Sequence, residues 1–233
     1  MPDERFVLYY QPLVRVSNAK VDHYEALIRM IGEEGDIIPP GAFIPAAERY
    51  GLMPQIDRWV FKQVVQALQT NQEIMIFMNV SGSSLADQNF PAFVEEGMAR
   101  SGVDPGRLGF EITETAVVQD MVAAEWWVRR IKNLGCRFAL DDFGAGFNSF
   151  IYLHNLPVDQ IKIDGYYILK LENDPARCAL GQAMHALART LGMETVAEFV
   201  ESEAVLQIIK DIGITYGQGY HLNKPEPNFR PDQ

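Results

Sequence analysis

The feature that most constrains the fold is a repeated alternation of short apolar runs with amphipathic helical patterns. Eight runs read as strands, at residues 6–12, 22–30, 73–80, 108–114, 137–143, 160–167, 194–200 and 214–221. Helical spacing of apolar residues fills most of the gaps, as in segments 54–70 and 118–134 and in a segment from Asp174 to about Gly192. Eight strands with regular helical connections favour a closed barrel over an open sheet. We therefore predict an α/β protein, a (β/α)8 TIM-like barrel.

The first two strands depart from this pattern. Only residues 17–20 separate them, which is too short for a parallel crossover, so the first strand is predicted to run antiparallel to the second. A chain of 233 residues is long for one ordinary domain but normal for one barrel. We therefore expect residues 1–233 to form a single domain.

Composition excludes several classes of protein. A formal net charge of −11 argues against binding a nucleic-acid polymer, although it leaves room for a small phosphate ligand held through metal ions. No apolar run reaches the ~18 residues of a membrane span, and the start MPDERF lacks the features of a signal peptide. Cys136 and Cys178 lack the spacing of a zinc site or a disulfide framework. We expect a cytoplasmic domain without membrane contact.

Polar residues stand near the ends of almost every predicted strand, where barrel enzymes assemble their sites. They are Glu25, Asn79, Glu111, Asp141, Asp142, Lys162, Glu198 and Gln218. Carboxylate and amide oxygens are the ligands that Mg²⁺ and Mn²⁺ prefer. Neighbouring side chains in a strand point to opposite faces, so Asp141 and Asp142 can serve one site only where the pleat breaks. Paired cations would offset their repulsion and promote displacement at a phosphodiester.

Each of these patterns has a plainer structural explanation. Glu111 and Glu114 could be a solvated strand end, and Lys162 could pair with Asp164. Asp141-Asp142 ahead of two glycines could be ordinary turn chemistry. The four histidines lack metal-binding spacing, which favours surface or packing roles. Trp126 lies off the apolar stripe of its helix, so it either marks a dimer contact or packs partly buried.

Seven motifs occur in an order that is specific to one family. They are EAL at 25–27, MNVS at 78–81, EITET at 111–115, DDFGAG at 141–146, IKID at 161–164, AEFVE at 197–201 and QGY at 218–220. Over nearly its whole length the chain resembles the EAL-domain phosphodiesterases of bacterial cyclic di-GMP signalling. The resemblance implies hydrolysis of cyclic di-GMP to linear 5′-pGpG with two Mg²⁺ or Mn²⁺ ions. It also implies a domain excised from a longer signalling protein with sensor or GGDEF domains, and a homodimer is possible.

The resemblance also implies residue roles, carried over motif by motif. The implied metal ligands are Glu25, Asn79, Glu111, Asp141 and Asp142. Three residues would support catalysis: Lys162 by activating water, Glu198 as a carboxylate near the metals, and Glu114 by holding the loop after Asp142. The implied substrate-binding residues are Gln11, Leu27, Arg29 and Gln218, the last of which would also position the carboxylates.

The sequence departs from the commonest family pattern in two places. The loop reads DDFGAGFNS where DDFGTGYSS is more usual, so Ala145 and Phe147 each lack a hydroxyl. Phe199 stands in AEFVE where AEGVE is common, which adds bulk beside Glu198. One alternative is therefore a catalytically weak or inactive cyclic di-GMP receptor, and another is a barrel hydrolase of a different phosphoester. The complete ligand set favours the phosphodiesterase.

Overall fold

The computed structural model describes residues 5–144 and 153–229. The strands are β1 (Phe6–Arg15), β2 (Lys20–Ile31), β3 (Ile37–Ile38), β4 (Ile76–Val80), β5 (Leu108–Thr113), β6 (Arg137–Phe143), β7 (Gln160–Ile163), β8 (Glu194–Ala197) and β9 (Tyr216–Gly217). The helices are α1 (Pro40–Arg49), α2 (Met53–Thr70), α3 (Gly82–Ala86), α4 (Phe90–Ser101), α5 (Glu114–Gln119), α6 (Met121–Lys132), α7 (Gly165–Ile168), α8 (Pro175–Thr190) and α9 (Glu203–Ile212). A 3₁₀ turn, Pro105–Arg107, precedes β5.

Eight of the strands close into a barrel in the order β1-β9-β8-β7-β6-β5-β4-β2, and β2 pairs back with β1. The two-residue strand β3 only extends the edge of β2. β1 runs antiparallel to both of its neighbours, whereas the other pairs around the barrel are parallel. The prediction of a (β/α)8-type barrel with an antiparallel first strand is confirmed. Its parallel strands therefore end together at one rim, which we call the carboxyl end.

Helices cover the outside of the barrel through their apolar faces. The predicted helix over 54–70 is confirmed as α2, whose residues Ile56, Val60, Val64 and Leu68 are buried. On α6, Trp127 is fully buried, and its neighbour Trp126 is 46% exposed. The indole of Trp127 packs edge-on against aromatic rings of β5 and β6. The helical layer is thus anchored to the sheet by large apolar side chains.

The predicted single helix over 118–134 is wrong. The chain forms two helices there, because Asp120 leaves helical geometry at φ −148°. The Asp120 side chain accepts a hydrogen bond of 2.9 Å from the Ala123 amide, which caps the start of α6. An aspartate in the middle of an apolar pattern was the available signal.

Three predicted strands end three or four residues earlier than their apolar runs indicated. β7 ends at Ile163 because the Asp164 carboxylate accepts from the Tyr166 amide at 2.6 Å and begins α7. β8 ends at Ala197, and β9 contains only Tyr216 and Gly217. The polar residues that follow these strands therefore sit on loops at the carboxyl end, free of the alternation that a strand imposes.

Three further sequence predictions concern the cysteines, membrane-spanning helices and the loop after β6. Both Cys136 and Cys178 are free thiols. No helix in the described ranges is long and apolar enough to cross a membrane. The departures at Ala145 and Phe147 lie outside the described residues, so their consequences stay predictions.

Candidate active site

The carboxyl ends of the strands bring the predicted polar residues together. In the parallel pair β4–β5, Asn79 lies directly opposite Glu111. In the antiparallel pair β1–β2, Gln11 lies opposite Glu25. Glu198 follows β8 and Gln218 follows β9, each in the first position after its strand. Strand register alone therefore places acids from separate parts of the chain at one rim.

Lys162 on β7 occupies the centre of this cluster, with its side chain 1% exposed. Its Nζ lies 2.7 Å from Glu111 Oε2 and 3.2 Å from Glu25 Oε2. It also lies 3.1 Å from Asp141 Oδ1 and 3.1 Å from Glu198 Oε1. One ammonium therefore faces four carboxylates, and the site retains an excess of negative charge.

The electrostatics of the cluster follow from this imbalance. Burial raises the pKa of Glu198 to about 8. Burial also raises the pKa of Glu111 well above its ordinary value, and repulsion from Glu25 adds to the shift. Burial acts in the opposite sense on Lys162, but the surrounding carboxylates outweigh it and raise the pKa of Lys162 well above its ordinary value. The lysine thus remains charged while its neighbours gain affinity for protons or for other cations.

Glu25 differs from the other carboxylates of the cluster because its pKa is lowered. It accepts hydrogen bonds from Gln218, Asn79 and Lys162. Burial opposes its ionisation, yet the Lys162 charge and hydrogen bonds from Gln218 and Asn79 lower the pKa of Glu25. Gln218 Nε2 donates to Glu25 Oε2 at 2.6 Å, and Asn79 Nδ2 donates to Glu25 Oε1 at 2.7 Å. Gln218 Nε2 also lies 3.3 Å from Gln11 Oε1. Two amides thereby hold the Glu25 carboxylate in one orientation.

Asp141 and Asp142 reach the same site because the pleat of β6 breaks at this point. The pairing with β7 shifts register between Leu140 and Phe143, and Asp142 has a left-handed φ of 55°. Carboxylate oxygens of Asp141, Asp142 and Glu198 lie within 4.8 Å of one another. Burial raises the pKa of Asp142 to about 6, and repulsion from Asp141 adds to the shift. The predicted break in the strand is confirmed.

The cluster fits a divalent cation. Its donors are carboxylate and amide oxygens, the set that hard ions prefer. Asp141 Oδ1 is buried and has no hydrogen-bond partner among the described residues, although it lies 3.1 Å from Lys162 Nζ. Additional positive charge would therefore satisfy both the unfilled coordination of Asp141 and the excess charge of the cluster.

Glu114 connects this cluster to the turn after β6. It lies at the start of α5 and is buried, as is Glu111, so the interpretation of EITE as a solvated strand end is wrong. Glu114 Oε2 accepts a hydrogen bond of 2.9 Å from the Gly144 amide. The Tyr167 hydroxyl donates to the Gly144 carbonyl at 2.7 Å. The backbone directly after Asp142 is therefore fixed from two sides.

A cavity of about 320 Å³ opens beside the cluster. It is lined by Gln11, Glu25, Leu27, Arg29, Glu198, Phe199, Glu201, Gln218, Gly219, Tyr220 and Pro225. All four predicted substrate-binding residues lie on its wall. Sequence reasoning missed Tyr220, although it belongs to the QGY motif, and it treated Phe199 only as added bulk.

Sequence reasoning also missed Asp57 on α2, which is buried against the turn that follows Asn79. The Asp57 carboxylate accepts from the Ser81 amide at 3.0 Å and from the Ser81 hydroxyl at 2.6 Å. Burial raises the pKa of Asp57 despite these hydrogen bonds. A polar residue inside the apolar stripe of α2 was the available signal, since Asp57 stands beside Ile56 in the buried face.

A sequence model described as the EAL domain matches residues 2–225. The chain belongs to the EAL domain family. One curated relative is the cyclic di-GMP phosphodiesterase PdeB of Shewanella oneidensis, 36% identical over 230 residues, covering 97% of this chain and 27% of the relative. Another is the cyclic di-GMP phosphodiesterase PdeF of Escherichia coli, 33% identical over 226 residues, covering 95% of this chain and 30% of the relative. This EAL domain thus spans between a quarter and a third of their lengths.

Solved structures agree with this assignment. The PaMucR phosphodiesterase in complex with c-di-GMP is 32% identical, with a TM-score of 0.91, over 97% of this chain and 93% of that one. The FimX EAL domain of Pseudomonas aeruginosa bound to c-di-GMP is 29% identical, with a TM-score of 0.92, over 99% and 94% of the two chains. This EAL domain is therefore similar to domains that hold the cyclic dinucleotide.

Proposed function

We propose that this EAL domain hydrolyses cyclic di-GMP to linear 5′-pGpG. The observation that carries the proposal is the buried cluster in which four carboxylates surround Lys162, with a cavity beside it. Perturbed acids in a cleft are typical of catalytic sites, and a barrel assembles such sites at this rim. Relatives that carry the name cyclic di-GMP phosphodiesterase support the choice of substrate.

We propose two bound Mg²⁺ or Mn²⁺ ions. Glu25, Asn79, Glu111 and Asp141 would hold one ion, and Asp141 with Asp142 would hold the other. Bound in this way, the ions would polarise the phosphodiester and lower the pKa of the attacking water. The closeness of the Asp141, Asp142 and Glu198 oxygens supports the placement of the second ion.

The protein's own groups position the reactants. Lys162 retains its proton because four carboxylates surround it, so it can orient the attacking water and balance negative charge on the phosphorane-like transition state. Arg29 lies on the cavity wall and carries the fork of donors that suits a phosphate. Gln218 holds Glu25, and Glu114 holds the turn after Asp142, so both act by fixing carboxylate geometry.

The test is a chromatographic assay of purified protein with cyclic di-GMP. We expect pGpG to form with Mn²⁺ and to be absent after chelation. Glu25→Ala should reduce turnover by about 10³-fold, since it removes both a proposed ligand and one of the four carboxylates around Lys162. Glu96→Ala is the matched control, because Glu96 is exposed on α4 and its ion pair within the described ranges is with Arg100, one turn away.

Three results would contradict the proposal. Turnover by Glu25→Ala at the parent rate would refute the ligand assignment. Hydrolysis that persists after chelation would refute the metal requirement. Intact substrate together with tight binding in a calorimeter would place this domain among cyclic di-GMP receptors, the alternative that the departures at Phe147 and Phe199 left open.

We further propose that the domain is one module of a longer signalling protein in the cytoplasm. Support comes from the relatives, in which the matching segment is a minor part of the length. One of them is named a bifunctional diguanylate cyclase/cyclic di-GMP phosphodiesterase, MucR of Pseudomonas aeruginosa. Sensor or GGDEF domains in the parent chain and a homodimer stay predictions.

A further inference from the structure

Phe199 has a conformation that its surroundings must enforce. It is one of three residues other than glycine with a positive φ in the described ranges, at 53°. This left-handed region is unfavourable for a residue with a Cβ, and glycine is the residue that normally occupies it. Such outliers persist where neighbouring structure holds them, and they cluster at ligand sites.

Hydrogen bonds on both sides of Phe199 hold it in this conformation. The Glu198 amide approaches the Ile163 carbonyl at 3.4 Å, and the Val200 amide donates to the Gln218 carbonyl at 3.0 Å. The first contact ties the segment to the end of β7, and the second ties it to the residue after β9. Phe199 therefore cannot relax its backbone without disturbing Glu198 and Gln218, two residues of the carboxylate cluster.

The ring of Phe199 is supported on one side and open on the other. A Cβ at Gly165 would lie only 2.2 Å from Phe199 Cδ2, so the ring rests directly on the glycine that starts α7. The side chain nevertheless remains 53% exposed and lines the cavity beside the carboxylates. A large apolar ring held exposed in a polar cleft is available to a flat ligand surface.

The neighbours of the ring define what such a surface would be. Arg29 and Tyr220 line the same cavity, and the Lys224 ammonium lies 5.5 Å from the centre of the Tyr220 ring. These groups offer positive charge for phosphate and aromatic faces for a base. Phe199 itself has no donor or acceptor, so it can recognise the face of a base but not its edge.

We propose that Phe199 is a substrate-binding residue whose ring stacks on one purine of the cyclic dinucleotide. The inference rests on the proposed function, and it adds a residue that acts on affinity rather than on the chemical step. Stacking of a base on an aromatic side chain contributes about tenfold in affinity. Removing the ring should therefore weaken binding and leave the reaction of bound substrate unchanged.

The experiment measures the Kd for cyclic di-GMP by calorimetry on chelated protein, and KM and kcat with Mn²⁺. Phe199→Leu and Phe199→Gly should each raise Kd and KM about tenfold, with kcat within twofold of the parent. Phe199→Tyr, which keeps an aromatic ring, should leave Kd and KM at the parent values. Phe199→Gly should not lower the unfolding midpoint, because glycine suits the left-handed backbone. Tyr50→Leu, at an exposed aromatic away from the cavity, is the matched control.

The outcomes separate this inference from the proposed function. If the parent protein binds and the variants bind equally well, stacking is refuted while phosphodiesterase activity stands. A decrease confined to kcat would also refute it. So would a Phe199→Tyr protein that binds as weakly as Phe199→Leu. If the parent binds cyclic di-GMP without hydrolysing it, the Kd series still decides the role of Phe199. If the parent turns over with Mn²⁺ but does not bind after chelation, the KM series decides the role of Phe199. Failure of the parent both to bind and to turn over would overturn both proposals.

Discussion

Both ends of the barrel carry a cluster of charged side chains, which is buried at the carboxyl end and partly exposed at the other, and the two clusters balance their charge differently. At the carboxyl end one lysine faces four carboxylates, and burial raises the pKa of Glu198 and Glu111. At the opposite end, Arg15 pairs with Asp22 at 2.7 Å and lies 3.8 Å from Glu194. There, hydrogen bonds from His23 and Arg15 hold the pKa of Asp22 well below its ordinary value.

The direction of the pKa shifts distinguishes the two clusters. A lowered carboxyl pKa means that the fold stabilises the charged form, so the Asp22 cluster contributes to stability. A raised carboxyl pKa, as at Glu111, Glu198 and Asp142, means that the fold opposes the charged form of that carboxyl in the absence of metal. In the same cluster Lys162 and Glu25 are shifted toward their charged forms, so the opposition falls on the remaining carboxylates. An excess of buried negative charge is typical of catalytic and metal-binding sites, whereas a balanced cluster is compatible with a purely structural role.

The largest expected effect comes from removing the cation at the centre of each cluster, Lys162 or Arg15. In chelated protein at pH 7, Lys162→Met should lower the free energy of unfolding by about 3–5 kcal/mol, because buried carboxylates lose their partner. Arg15→Met should cost about 1 kcal/mol, since its partners are partly exposed to water. Urea unfolding of both variants measures the difference.

Added Mn²⁺ sharpens this test. It should restore part of the stability of Lys162→Met, because it supplies positive charge to the same carboxylates, and it should leave Arg15→Met unchanged. If the two variants lose the same free energy of unfolding, or recover the same amount with Mn²⁺, the two ends of the barrel do not differ in charge balance.

A smaller effect is expected from Asp57, which holds the turn after Asn79. Asp57→Asn should lower Mn²⁺ affinity and turnover by about 10–100-fold, because the Ser81 contacts that fix the Asn79 side are weakened. Asp104→Asn is the control at the opposite end, where Asp104 caps the Gly106 amide. A calorimetric Mn²⁺ titration and the cyclic di-GMP assay provide the two measurements. Equal Mn²⁺ affinity in the parent and Asp57→Asn would refute the positioning role.

The smallest effect concerns pH and His23, which is buried at the balanced end. Burial lowers the pKa of His23, and Arg137 opposes its protonation, while Asp22 and Glu194 favour it. The folded state therefore binds fewer protons than the unfolded state below about pH 6.5, so stability should fall as the pH drops.

His23→Asn should remove this contribution while retaining a donor for Asp22. When the pH is lowered from 7 to 5, the free energy of unfolding of the variant should rise by about 1 kcal/mol relative to that of the parent. Urea unfolding at the two pH values gives the comparison, since other titrating groups cancel in the difference. An identical pH slope in the two proteins would show that folding leaves the pKa of His23 unchanged, which would contradict the expected lowering.

Sequence could predict the barrel and most of the site for a physical reason. Strand ends carry the polar residues, and parallel strands place their ends together, so Asn79 and Glu111 meet without any knowledge of side-chain contacts. The antiparallel start followed from the short turn between β1 and β2. Motif order then identified the family from the same residues.

The remainder depended on three-dimensional contacts that no linear pattern encodes. The break at Asp120 arises because a side-chain cap competes with helix continuation, and an apolar stripe does not show that competition. Asp57 reaches Ser81 only after α2 packs on the barrel. The left-handed backbone of Phe199 follows from hydrogen bonds to two other strand ends, so the sequence shows its bulk but not its exposure.

The short pairing between β1 and β9, which closes the barrel, has a consequence for the order in which the barrel forms. β1 pairs with β2 along its whole length, from Phe6↔Met30 to Arg15↔Lys20, but it meets β9 only at Val14↔Gly217 and Arg15↔Tyr216. A ribosome delivers β1 first and β9 after all the other strands, so the sheet stays open until late in synthesis. Gln218 reaches Glu25 only when that gap closes. The amide that orients the Glu25 carboxylate is therefore among the last parts of the site to arrive.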